Sequence, residues 1–214
     1  MTGPLLQLKE VTAGYDTKIV LRNVTLDVDT KDFIIICGPN GGGKSTLLRT
    51  IAGLLKPKAG ECLQEKDIVM GYLPQYRGID RAFPITVEET ILSGLNCRKK
   101  AWESFKEEDY RRVEELLEKF QLTELAKRPI DALSGGQWQR TLLARSLAGE
   151  PDIWTLDEPD THLDVEGKKY LHQLLTNEIG KRAIILVTHN PEDLSYFHHS
   201  KIWRVHDQSV QTEK

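Results

Sequence analysis

The chain has 214 residues, 29% charged and 39% hydrophobic, with a net charge of −3, the balance of a globular protein long enough for one sizeable core. That charge excludes the basic character of a nucleic-acid-binding domain, and apolar runs of about five residues fall far short of the roughly 20 that span a bilayer. The N-terminus lacks the basic, apolar, small-residue order of a secretory leader, and Cys37, Cys62 and Cys97, odd in number and without a C-x-x-C spacing, read as reduced thiols of a cytoplasmic protein.

In chain order, Leu6 to Val11 alternates like a half-buried strand, Ala13 to Asp16 reads as a turn, and Val24 to Val28 alternates again. An antiparallel β layer is expected there. Phe33 to Cys37 is a short apolar run that reads as a buried strand. It leads into Gly38-Pro39-Asn40-Gly41-Gly42-Gly43-Lys44-Ser45, a full match to the phosphate-binding pattern G-x-x-x-x-G-K-[ST]. Its glycines let successive amide groups turn inward on an anion, and the helix-compatible run from Ser45 through Thr46 to Ala52 puts a positive helix end beside them. Lys44 is expected to reach the β- and γ-phosphates of a nucleoside triphosphate, and the Ser45 hydroxyl to ligate Mg²⁺.

Residues 53–60 are rich in helix and strand breakers, and Val69 to Leu73 reads as another strand. The period then changes. Thr86 with Glu89 forms a capping-box pattern for a helix through Leu92, and Tyr110, Val113, Leu116, Leu117 and Phe120 make one helical stripe. A further helix is expected from about Thr123 to just before Pro129. In Leu133-Ser134-Gly135-Gly136-Gln137, the serine can cap a helix running to Gly149, leaving glycine amides exposed as a second anion site. Strands are expected at Ile153 to Leu156 and Ala183 to Val187, separated by a helix from Val165 to Ile179. The first ends in Asp157-Glu158-Pro159, where an aspartate can hold Mg²⁺ and the next carboxylate can polarise an attacking water. The reading is an α/β core interrupted by a helical insertion over 80–149.

These motifs, together with Gln75, His162-Leu163-Asp164 and His189, resemble in content and order those of the ATP-binding-cassette (ABC) ATPases over nearly the whole chain. The resemblance implies a P-loop NTPase, RecA-like core over 1–79 and 150–214, an N-terminal antiparallel β subdomain and a helical subdomain over 80–149, all in one cassette. It also implies roles for single residues. Tyr15 would stack on adenine, as bases do on aromatic faces. Gln75 would contact Mg²⁺ and the lytic water, Asp157 would hold Mg²⁺, Glu158 would be the catalytic base, and His189 would bond the γ-phosphate. Two copies would stack head to tail, with Ser134, Gly135, Gly136 and Gln137 of one closing over ATP held by Lys44 of the other. Asp164 would lie in the loop that crosses between them. Three positions depart from the common pattern: Thr155 in a strand that is usually aliphatic, Asp160 after Glu158-Pro159, and Trp138 after Gln137.

Within that family a chromosome or repair ATPase would need a long heptad segment and a ribosome-associated relative a tandem second cassette, so the resemblance implies the ATPase subunit of a transporter, expected on the inner face of the cell membrane and docked on permease subunits. The segment Ile79-Asp80-Arg81-Ala82-Phe83-Pro84-Ile85-Thr86-Val87 is similar to one in ATPases of zinc and manganese importers, systems that also use an extracytoplasmic binding protein. The alternatives are a permease-independent soluble ATPase and a transporter ATPase for a non-metal cargo. His198, His199 and His206 read as a scattered surface trio, with a metal sensor as the alternative, and Arg98-Lys99-Lys100 beside Trp102 as a basic turn facing solvent, lipid or permease.

Overall fold

The computed structural model describes residues 3–75, 81, 83–100, 102–161, 163–189, 197 and 200–213. Ile79, Asp80, Ala82, His162, His198 and His199 lie outside the described residues.

Two sheets organise the chain. In the first, β1 (Leu6–Tyr15) lies between β2 (Lys18–Val28) and β4 (Ala59–Gln64), antiparallel to both. The second has the order β5-β6-β7-β3-β8-β9, from β3 (Phe33–Cys37), β5 (Met70–Leu73), β6 (Ile153–Asp157), β7 (Ala183–Val187), β8 (Lys201–His206) and β9 (Ser209–Glu213). Its pairings are parallel except for the β8–β9 hairpin.

Alternation divides the core. Ile34 and Ile36 of β3, with Ile185 and Val187 of β7, face the antiparallel sheet and α1 (Lys44–Ile51). Phe33 and Ile35, with Ile184 and Leu186, face α2 (Val87–Ser93), α3 (Glu107–Lys119), α4 (Gly135–Ala148) and α5 (Val165–Glu178). Strands covered on both faces must be apolar throughout, which is why β3 and β7 carry continuous runs instead of a polar–apolar pattern. β6 is equally buried, yet holds Thr155. That hydroxyl donates to the Gly71 carbonyl of the neighbouring β5 at 2.9 Å, so the polar group is satisfied inside the sheet.

Thr86 caps α2 as its sequence implies: the Glu89 amide donates to the threonine oxygen at 3.3 Å, and the Thr86 amide donates to the Glu89 carboxylate at 2.8 Å. Elsewhere the structure corrects the sequence reading. The turn after β1 sits at Asp16 and Thr17, because Ala13, Gly14 and Tyr15 stay paired to Leu21, Ile19 and Lys18. The breaker-rich connection ends at Pro57–Lys58, since β4 already pairs with β1 from Ala59. In place of the helix expected before Pro129 there is one 3₁₀ turn, Thr123–Leu125. Tyr110 leaves the α3 stripe and is 52% exposed, while Asp109 on the buried side pairs with Lys99 at 2.7 Å. In the basic turn Arg98 donates to the Gly149 carbonyl and Lys99 pairs with Asp109, while Lys100 and Trp102 stay exposed. His206 pairs with Asp207. Among the described residues no helix is long and apolar enough to cross a membrane.

Candidate nucleotide site

The C-terminal ends of β3, β6 and β7 open on one edge of the parallel sheet, where ligands bind in α/β proteins. The phosphate loop leaves β3 there. Gly38 has φ +144°, and a Cβ on it would stand 2.2 Å from the Val205 carbonyl oxygen of β8, so only glycine lets the loop leave the strand at this point. Gly43, at φ +109°, is the N-cap of α1 and offers no side-chain cap, which leaves the first amides of the helix available. Pro39, Asn40, Gly41 and Gly42 line a shallow cleft of about 370 Å³ with Lys18 and Gln208.

Lys44 is 5% exposed, and its ammonium donates to the carbonyls of Gly38 and Pro39 at 3.0 Å each. Burial lowers its pKa, against the pull of Glu158 and Asp157, which favour the cation. Ser45 donates to one Asp157 oxygen at 3.1 Å, joining α1 to the end of β6. Asp157 is 1% exposed and its other oxygen has no hydrogen-bond partner. Burial raises the Asp157 pKa, opposed by the Ser45 hydrogen bond and reinforced by the Glu158 charge. Thr46 is buried in the first turn of α1.

Glu158 stands at φ +51°, in a left-handed turn fixed by its amide donating to the Val187 carbonyl at 3.1 Å. One carboxylate oxygen accepts from Gln75 at 2.9 Å and the other is paired with His189. Two residues, following β5 and β7, thus converge on the side chain that follows β6. Tyr15, 40% exposed at the end of β1, accepts from Arg49 of α1 at 3.3 Å.

Ser134, Gly136, Gln137 and Asp164 line a separate cleft of about 510 Å³, whose walls include none of Lys44, Ser45, Asp157 or Glu158. Ser134 and Gln137 form a reciprocal capping box on α4, and a Cβ on Gly136 would meet nothing within 4 Å, so the first turn beyond Gly135 presents an open face. Asp164 is the N-cap of α5, accepting from the Gly167 amide at 2.8 Å.

Sequence reasoning missed Gln139 and Arg49. Gln139 is buried and donates to the Pro159 carbonyl at 2.8 Å, tying α4 to the turn that carries Glu158. Its signal was a polar residue between Trp138 and the Leu142-Leu143 pair of α4.

A model of the ABC transporter family matches residues 21–161. The high-affinity zinc uptake system ATP-binding protein ZnuC of Bacillus subtilis is 36% identical over 204 residues, covering 90% of this chain and 87% of that protein. The zinc import ATP-binding protein ZnuC of Haemophilus influenzae is 35% identical, covering 87% of this chain and 66% of that protein. Among solved structures, a dimeric ATP-binding cassette in a post-hydrolysis state with ADP and Pi is similar, with a TM-score of 0.83, 28% identity and 98% coverage of both chains. A chain from an ABC transporter described as metal-chelate type, in an inward-facing conformation, has a TM-score of 0.84 at 27% identity and covers 98% of this chain and 83% of that one.

Proposed function

This chain belongs to the ABC transporter family as an ATP-binding, ATP-hydrolysing subunit, and on that premise we propose that it powers the uptake of a divalent metal ion, zinc foremost. The cargo rests on one observation: the zinc uptake protein of Bacillus subtilis is matched over nearly all of both chains. On this reading the cassette core is 1–79 with 150–214, and 80–149 is the helical subdomain that docks on permease subunits at the inner face of the membrane. An extracytoplasmic binding protein completes the system.

Chemistry at the site follows from the residues in hand. Lys44, already desolvated, offers its ammonium to the β- and γ-phosphates, exchanging two neutral carbonyl partners for charged ones, which make stronger bonds. Tyr15 offers its exposed ring to adenine. Mg²⁺ fits beside Ser45, Gln75 and Asp157: a hard cation takes oxygen ligands, and Asp157 holds a buried, unpartnered carboxylate oxygen whose burial cost a cation would offset. When bound it would draw charge from the phosphate oxygens. Glu158 accepts a proton from the attacking water as the water oxygen bonds to the γ-phosphorus and the bond to the bridging oxygen of ADP breaks. Gln75 and His189 hold that carboxylate in place through one oxygen each.

Ser134, Gly135, Gly136 and Gln137 complete the site of a second copy, with Asp164 at the crossing between subunits. ATP therefore joins two copies into a homodimer and hydrolysis parts them. Co-purification of the tagged chain from membranes with a hydrophobic permease tests the transporter assignment. Recovery with soluble partners alone would refute it.

A further inference from the structure

Arg81 is tied to the strap 128–133, which leads into the Ser134 cap, by more bonds than any role assigned above requires. Its guanidinium donates to the Ile130 carbonyl through Nε at 3.2 Å and Nη2 at 2.8 Å. Nη2 also donates to the carbonyls of Asp131 at 3.2 Å and Leu133 at 2.5 Å. Its Cζ lies 5.8 Å from the ring centroid of Trp138, which is 1% exposed in the first turn of α4. The 3₁₀ turn Ile130–Ala132 ends in Leu133, directly before the Ser134 cap. The Ile130 carbonyl also accepts from the Leu133 amide at 3.4 Å, which closes the turn, and the guanidinium adds a charged donor to it and to the Asp131 and Leu133 carbonyls. A second tie reinforces the first: the Ile130 amide donates to the Ile85 carbonyl at 3.0 Å, and the Val87 amide to the Arg128 carbonyl at 3.1 Å. Arg81, Ile85 and Val87 are thereby each tied to the strap 128–133.

We infer that Arg81 is a positioning residue for hydrolysis: it clamps the carbonyls of 130–133 and the Trp138 ring, and so fixes how Ser134, Gly135 and Gly136 are presented to the nucleotide of a second copy. The departure at position 138 has a physical reason in this arrangement, since an indole face is what a guanidinium stacks on best. The planar shape matters as much as the charge, because a guanidinium can donate to these carbonyls from its edge while laying its face toward the Trp138 ring, which a compact ammonium cannot do. The catalytic consequence rests on the reading above, in which Ser134, Gly135 and Gly136 act on a partner's ATP. The clamp itself does not.

The test uses the full chain carrying Arg81→Met, with Arg81→Lys as the conservative variant. Hydrogen exchange across 129–140 should quicken about tenfold in Arg81→Met, stay native across 38–52, and fall between the two in Arg81→Lys. ATPase kcat should drop about tenfold while the affinity of the isolated chain for ATP stays within about twofold. Native exchange across 129–140 would overturn the clamp, and quickened exchange with native kcat would overturn the positioning role. Ser134→Ala, assayed alongside, separates the two layers: native kcat in that variant refutes the partner-site reading, while exchange in Arg81→Met still decides the clamp.

Discussion

Replacing Glu158 with glutamine isolates proton acceptance from everything else the side chain does. The carboxylate takes a hydrogen bond from Gln75 at 2.9 Å and pairs with His189. A glutamine can keep both, its oxygen accepting from Gln75 and its amide donating to His189 once the imidazole shifts its proton to the other nitrogen. The backbone turn depends on the Glu158 amide and the Val187 carbonyl, which the substitution leaves alone. What is lost is a basic oxygen beside the attacking water, and positioned general bases contribute about 10²–10⁴ in rate, or roughly 3–5 kcal/mol of barrier. Phosphate release under saturating ATP should therefore fall by about two to four decades, with nucleotide affinity preserved and a dimer accumulating on ATP addition. Turnover within about threefold of native would refute the assignment of Glu158 as base.

Lys44→Ala removes the one buried ammonium at the loop, so ATP affinity should weaken by about 10–100-fold in a fluorescent-nucleotide titration, and unchanged affinity would contradict its role. Burial raises the pKa of Glu178, but Lys119, Arg182 and Lys181 around it more than reverse this and leave it lowered. Its contribution is present above the unfolded carboxylate pKa of about 4.3 and is lost as pH falls through the lower folded value. Glu178→Gln should cost about 2 kcal/mol at neutral pH, below the full range for a broken buried pair because Lys119 and Lys181 reach solvent. The midpoint should fall by about 4–8 °C and lose part of its acid dependence; a midpoint within about 1 °C of native would contradict this.

What could be read from the sequence was local. The Thr86–Glu89 capping box, the Ser134 cap and the buried strands β3, β6 and β7 are each specified by residues within a few positions of one another, and all formed as expected; that Gln137 completes a second box was not foreseen. What escaped depends on distant partners. β4 is exposed along most of its length and carries no apolar alternation; it is a strand because β1 offers it a pairing edge. β8 hides its signal in Trp203 and Val205, two inward residues in a short segment, and becomes legible only beside β3. The stretch after Thr123 has helix-compatible residues, yet the 129–130 backbone is committed to Thr86 and Ile85, which stops the turn early. The carboxylate of Glu158 was evident as a candidate base, but the convergence of Gln75 and His189 on it needed strands whose ends meet only in three dimensions.

Uptake of radiolabelled zinc, manganese and iron, by cells lacking this protein and complemented with either the native chain or Glu158→Gln, tests the central claim most directly. The account predicts that zinc uptake is lost without the protein and restored by the native chain alone. Undiminished uptake of all three ions in its absence would contradict it, leaving an ATP-hydrolysing cassette whose cargo is not a metal ion.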